Sequence, residues 1–170
     1  MQSQTLREIL DQPNAWRIVL ENMDKVQENL GSYLQKKKDS EVVFIGCGTS
    51  YYLALSAASI FTTITHQKAR AIPSSDVFLF SESIFSSKCD YLAVLISRSG
   101  KTTETVWAAR YIKENLRIET LALTCYPAND LVDICHRNLV VSGASEQSVV
   151  MTKSFTSMLL MCILMACLVV

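Results

Sequence analysis

The chain has 170 residues, 49% of them hydrophobic, and carries 16 Lys plus Arg against 16 Asp plus Glu. That length fits one domain with enough apolar side chains to fill a core, and the balanced charge excludes the basic footprint of a nucleic-acid-binding protein. The six cysteines, Cys47, Cys89, Cys125, Cys135, Cys162 and Cys167, stand singly with no Cys-x-x-Cys pair and mostly in apolar runs, where a reduced thiol packs as a small hydrophobe.

From the N-terminus, which is polar and has no signal-peptide pattern, a helical segment is interrupted at Pro13, whose ring suits the first turn of a second helix. Trp16, Val19, Leu20, Met23, Val26, Leu30, Tyr33 and Leu34 then recur at spacings of three and four. This predicts one amphipathic helix of about six turns, so that residues 1–38 form a helical lead-in to a domain over 39–170. Lys36-Lys37-Lys38 reads as a solvated helix end. Beyond it, short apolar runs alternate with helical stretches: strand 42–45, helix 51–65, strand 68–72, a polar connection through Pro73, and strand 92–96. Helix 103–116, strand 120–124, a short helix 130–135, strand 139–141 and a final helix from residue 152 complete the order. Such alternation predicts an α/β three-layer sandwich with about five parallel strands.

The last thirteen residues, 158–170, are apolar without a charge. A membrane span needs about twenty, so this run reads as a helix buried in a core or subunit interface, with no membrane partner. The chain stops inside it with no polar tail, which predicts a continuation or a covering partner, and with it a homodimer or higher oligomer. The thiols and the absence of a leader together predict a cytoplasmic protein.

Two strand ends carry chemistry. Strand 92–96 runs into Ser97-Arg98-Ser99-Gly100-Lys101-Thr102-Thr103, and strand 42–45 into Gly46-Cys47-Gly48-Thr49-Ser50. A buried strand that turns through hydroxyls and glycine into a helix gathers backbone N–H groups, the positive end of the helix dipole and hydroxyl donors around one small volume. Such a volume holds a phosphate, and on a parallel sheet it lies beyond the carboxyl ends of the strands. Helix capping alone needs one hydroxyl, fewer than are present here. The Gly100-Lys101-Thr102 run is not a nucleotide P-loop, because Leu95 stands where its first glycine belongs. The dinucleotide fingerprint also fails, with Tyr51 in place of a third small residue. No cofactor and no metal are expected. Cys47, between two glycines with no histidine nearby in sequence, reads as a packing residue rather than a nucleophile.

These two motifs, together with Glu146-Gln147-Ser148-Val149-Val150-Met151-Thr152-Lys153-Ser154-Phe155-Thr156, stand in the order and spacing of SIS (sugar isomerase) domains, which have a flavodoxin-like fold. The chain resembles the first such domain of the isomerase half of glucosamine-6-phosphate synthase and its relatives. The opening Arg7-Glu8-Ile9-Leu10-Asp11-Gln12-Pro13 is similar to their lead-in helix. The Ser-Val-x-Met-Thr-Lys-Ser form is nearer the ketose/aldose isomerase and amino-sugar-phosphate deaminase branch. The resemblance implies that Ser97, Ser99 and Thr102, with the backbone at Arg98 and Gly100, hold the phosphate of a hexose 6-phosphate or amino-sugar phosphate. It implies that Gly48, Thr49 and Ser50 flank it, and that the Val149 backbone lines the sugar. Arg98 replaces the usual glutamine and Met151 a sugar-contacting serine. Arg98 either adds a charge-assisted bond to phosphate or turns outward to an acidic neighbour.

Moving a proton between C1 and C2 of a sugar phosphate requires a base near carbon and an acid on the carbonyl. In the family, a glutamate, a histidine and a lysine from a second domain or a partner subunit supply these steps. Here His66 and His136 fall near helix ends away from the hydroxyl loops, and Glu146 is the remaining local carboxylate, expected on a loop with a solvated side chain. No Cys follows Met1, so glutamine hydrolysis is not expected. The sequence therefore reads as the sugar-phosphate-binding part of an isomerase or deaminase whose catalytic base lies elsewhere. The competing reading is a non-enzymatic sugar-phosphate sensor.

Overall fold

The computed structural model describes residues 3–170. Five strands, β1 (Glu41–Gly46), β2 (Ala69–Pro73), β3 (Tyr91–Ile96), β4 (Glu119–Thr124) and β5 (Arg137–Val140), form one sheet in the order β2-β1-β3-β4-β5. Every pairing is parallel, with Phe44 opposite Ala71 on one side and Val94 on the other. The helices are α1 (Gln4–Leu10), α2 (Gln12–Glu21), α3 (Met23–Val26), α4 (Ser32–Lys36), α5 (Thr49–Thr65), α6 (Ser74–Leu79), α7 (Ser81–Ile84), α8 (Thr103–Tyr111), α9 (Asp130–Ile134) and α10 (Lys153–Val169).

The central strands are apolar throughout because both faces of the sheet are covered. Successive side chains point to opposite faces. Val42, Phe44, Leu92, Val94, Leu121 and Leu123 therefore meet Leu53 and Phe61 of α5 and Met158, Met161 and Met165 of α10. Val43, Ile45, Ala93, Leu95 and Ala122 meet Val106 and Ala109 of α8, Val77 of α6 and Leu131 of α9. Phe44 and Phe61 pack edge to face with centroids 5.7 Å apart, an aromatic pair whose truncation costs about 3–5 kcal/mol in a core.

Three sequence expectations shift. The single helix over 16–34 is divided: α2 ends at Asn22, whose side-chain amide donates to the Ile18 carbonyl at 2.8 Å, and a π-turn spans Gln27–Gly31 before α4. A side chain competing for a helix carbonyl and an extra residue in one turn both re-aim the axis, and Val19, Leu30 and Leu34 thereby all reach the core. The polar connection after Pro73 contains α6 and α7, started by Pro73 itself at the N-cap. Strand β5 begins at Arg137, ahead of its apolar residues, because it is an edge strand whose first two residues are exposed.

The apolar C-terminal run lies within α10, which packs against α5, α2 and α4. Among the described residues, no helix is long and apolar enough to cross a membrane. The stripe on the lead-in helices is likewise covered within the chain, except for Trp16 and Leu20, which stay exposed.

Candidate functional site

Strands β1 and β3 are neighbours, yet the chain leaves β1 toward one face through α5 and leaves β3 toward the other through α8. A crevice opens at such a switch point beyond the carboxyl ends of the strands. Here it is a cleft of about 200 Å³ lined by Cys47, Thr49, Ser50, Arg98, Ser99, Thr102, Val149 and Met151.

Each wall has a local cause. At the end of β1, a Cβ on Gly46 would overlap the backbone of Ser50, so glycine lets α5 begin hard against the strand. Gly48 has φ +55°, in the left-handed region that favours glycine, and α5 starts with no side-chain cap. At the end of β3, the backbone bond from Ser97 N–H to the Leu123 carbonyl (3.1 Å) and the bond from Cys125 N–H to the Arg98 carbonyl (3.0 Å) fasten the loop to β4. The Thr124 hydroxyl donates to the same Arg98 carbonyl at 3.1 Å. Ser97 is buried, and its Oγ pairs with Thr102 Oγ1 at 2.9 Å and accepts from Gly100 N–H at 3.1 Å. Helix α8, too, starts without a side-chain cap. Two helix N-termini without side-chain caps thus flank the cleft, each turning its positive dipole end toward an anion; at α5 the Ser50 and Tyr51 N–H groups are already bonded to the Cys47 and Gly48 carbonyls.

The third wall is the segment 145–152, which has no regular structure. Its order comes from a buried ion pair: Arg98 Nη1 donates to Glu146 Oε1 at 3.1 Å and also to the carbonyls of Ser148 (3.0 Å) and Val149 (3.3 Å). The Glu146 side chain is 0% exposed. Its carboxylate accepts from Thr152 N–H and Oγ1 and from Ser154 N–H and Oγ, capping the start of α10. Burial alone would push the Glu146 carboxyl up; bonds from Ser154, Thr152 and Arg98 outweigh it and hold it below its ordinary range.

Of the residues singled out in the sequence, Thr49, Ser50, Arg98, Ser99, Thr102 and Val149 line the cleft together. Gly48 and Gly100 shape its turns, and Ser97 lies behind it, its hydroxyl engaged within the loop. One expectation is corrected: Glu146 is not a solvated side chain but a buried carboxylate saturated with donors. Of the two readings of Arg98, it pairs with an acidic neighbour, turning inward to Glu146 rather than outward. Cys47 lines the cleft with its thiol pushed up by burial and by the nearby Glu104 carboxylate, which keeps it protonated. His66 caps the far end of α5 in a left-handed conformation, and His136 accepts from Thr120 before β5, both at the opposite end of the sheet.

Sequence reasoning missed Asn129. Its side chain occupies the space a Cβ on Gly100 would need, donates to the Tyr126 carbonyl at 2.6 Å and accepts from Val132 N–H at 3.1 Å. The Asn-Asp pair announced a helix start, but its contact with Gly100 depends on how β4 lies beside β3.

Among known proteins, the chain is 32% identical over 120 residues to a glutamine–fructose-6-phosphate aminotransferase of Campylobacter jejuni, covering 71% of this chain and 19% of that protein. A crystal structure of glucosamine-6-phosphate deaminase from Thermotoga maritima superposes with a TM-score of 0.74 at 34% identity, over 96% of this chain and 48% of that one. Tagatose-6-phosphate ketose/aldose isomerase from Escherichia coli shares the fold, with a TM-score of 0.86 at 24% identity, over 96% of this chain and 47% of that one. The chain thus spans about a fifth of the curated relative's length and about half of each solved structure. The model of the SIS domain matches residues 33–168, from α4 through the whole sheet and all three walls of the cleft into α10, and the chain belongs to that family.

Proposed function

We propose that this chain is the sugar-phosphate-binding part of a ketose/aldose isomerase or amino-sugar-phosphate deaminase acting on hexose 6-phosphates. The observation that carries this reading is the cleft at the β1/β3 switch point, where hydroxyls of Thr49, Ser50, Ser99 and Thr102 meet two uncapped helix N-termini. Phosphate is the ligand group that such donors fit. The Val149 backbone and Met151 on the third wall face the rest of the ligand. The names of the related proteins, which concern fructose, glucosamine and tagatose 6-phosphates, support the same substrate class.

Among the described residues, the cleft is lined by hydroxyls, a thiol kept protonated and a guanidinium, with no carboxylate or imidazole to take a proton from carbon. Glu146 is buried and fully bonded. The chain by itself therefore binds and orients the sugar phosphate, and the base comes from a second domain or a partner subunit. A homodimer or higher oligomer and a cytoplasmic location belong to the same reading. Light scattering tests the first, and a monomer at micromolar concentration would overturn it.

Calorimetry with fructose 6-phosphate, free fructose and inorganic phosphate tests the binding claim. Fructose 6-phosphate should bind several-fold or more tightly than fructose, since charge-assisted bonds act on the phosphate alone. Equal affinity for the two sugars would refute a phosphate grip. Following fructose 6-phosphate conversion to glucose 6-phosphate, or to glucosamine 6-phosphate with ammonia, separates binding from catalysis. Robust turnover by this chain alone would overturn the assignment of the base to another segment.

A further inference from the structure

We propose that Glu8, on the lead-in helix α1 and outside the matched residues 33–168, is a positioning residue of the ligand cleft, its carboxylate fixing the loop that presents the Val149 backbone. This rests on the sugar-phosphate reading above and extends it to a helix remote in sequence.

Helix α1 is largely exposed, with Leu6, Ile9 and Leu10 on its surface, yet Glu8 is only 4% exposed. A carboxylate is rarely buried without compensating donors. The donors here come from a loop about 140 residues away: Glu8 Oε1 accepts from Gln147 N–H at 2.6 Å and Oε2 from Ser148 N–H at 3.2 Å. Gln4 Nε2 donates to Oε1 from one turn earlier at 2.9 Å, and Ser148 Oγ donates to Thr5 Oγ1 at 3.1 Å. Burial pushes the Glu8 carboxyl up, but these bonds outweigh it and hold its pKa at about 2, so the carboxylate stays ionised at neutral pH.

Ser148 is thereby gripped from two sides. Its N–H is on Glu8, while its carbonyl, and that of Val149, are on Arg98. Peptide planes are rigid, so these anchors set the direction of the Val149 backbone. Val149 has no packing of its own to do so, being 92% exposed. The phosphate-facing walls, by contrast, are fastened through β1, β3 and β4 without α1. Loss of Glu8 should therefore weaken the hold on the sugar and spare the hold on phosphate. A merely structural role would weaken both together.

The test compares the wild-type chain with Glu8→Gln at pH 7.5, using calorimetry with fructose 6-phosphate and with inorganic phosphate, and amide exchange at residues 147–149. Gln supplies one acceptor oxygen in place of two, so one backbone N–H loses its partner. Fructose 6-phosphate should bind about tenfold more weakly, phosphate within about twofold of wild type, and the 147–149 amides should exchange faster. If Glu8→Gln does not fold, Thr5→Val carries the same comparison, with about a threefold loss for the sugar phosphate. Unchanged fructose 6-phosphate affinity, or an equal loss for both ligands, overturns the role of Glu8 while leaving the proposed function intact. A wild-type chain that binds neither ligand overturns both.

Discussion

Two loops meet at the cleft and are built by opposite means. The 97–102 loop is fastened by backbone bonds to β4 and by hydroxyls within itself, as in Ser97 to Thr102 and to Gly100 N–H. The 145–152 loop has little backbone pairing and is held by charged side chains, two from distant places, Glu8 on α1 and Arg98 after β3, and one its own, Glu146. Backbone anchoring survives most side-chain changes, whereas a loop organised by buried charges depends on each of them, because removing one partner strands the other. The first loop suits a fixed grip on phosphate, and the second suits a wall whose position can be tuned by substitution.

The largest effect is expected where the charges are most buried. Glu146→Ala removes the cap of α10 and leaves Arg98 unpaired, and should cost about 2–4 kcal/mol in urea unfolding. A variant within about 0.5 kcal/mol of wild type would show that the ion pair does not organise the loop. Glu146→Gln tests the charge by pH. The Glu146 carboxyl lies below its ordinary 4.5 in the folded chain. Its stabilisation is therefore present above 4.5 and is lost as pH falls through the lower folded value. Below pH 4.5 the wild type should lose stability more steeply than Glu146→Gln, and identical acid slopes would refute the assignment.

Gly100→Ala attacks the backbone-anchored loop where its backbone conformation and packing both call for glycine. Gly100 has φ +67°, and its missing Cβ makes room for Asn129. Left-handed strain plus displacement of Asn129 should cost about 2 kcal/mol and weaken phosphate binding with it. A fully stable variant with intact phosphate affinity would contradict the tight packing behind this loop.

Arg98→Gln removes the cation at the centre of the charge-held loop. It should cost about 1–2 kcal/mol. Amide exchange is the sharper readout: residues 148–152 should lose protection while 97–102 keep theirs. Equal loosening of both loops would erase the distinction between them.

The smallest effect separates two serines of one loop. Ser97→Ala deletes two internal bonds and should cost about 1 kcal/mol of stability. Ser99 lines the cleft, and its Oγ accepts from Lys101 N–H at 3.2 Å. Ser99→Ala should stay within about 0.5 kcal/mol of wild type while binding fructose 6-phosphate several-fold more weakly. The reverse ranking would exchange their roles.

The phosphate-facing walls were legible from residues alone because each is local. A strand ending in glycine and hydroxyls, followed at once by a helix, dictates where N–H groups point within a few residues of chain. The five-strand alternation was legible for the same reason, through runs such as 92–96 buried on both faces. The division of the 16–34 helix was not, because the apolar periodicity continues across Asn22, while the break comes from its side chain taking the Ile18 carbonyl and from the π-turn at Gln27–Gly31. The edge strand lost its first residues because Arg137 and Asn138 face solvent and carry no apolar signal.

What the sequence by itself determined was the three-layer α/β class, the pair of hydroxyl loops at strand ends and, through their resemblance, the family. These depend on periodicity and on motifs whose parts lie within one turn of each other. Only the tertiary structure decided the fates of Glu146, Arg98 and Glu8. Whether a carboxylate is solvated or buried depends on what packs over it, and here the partners lie 48 residues apart in one case and about 140 in the other. No local pattern records such a distance.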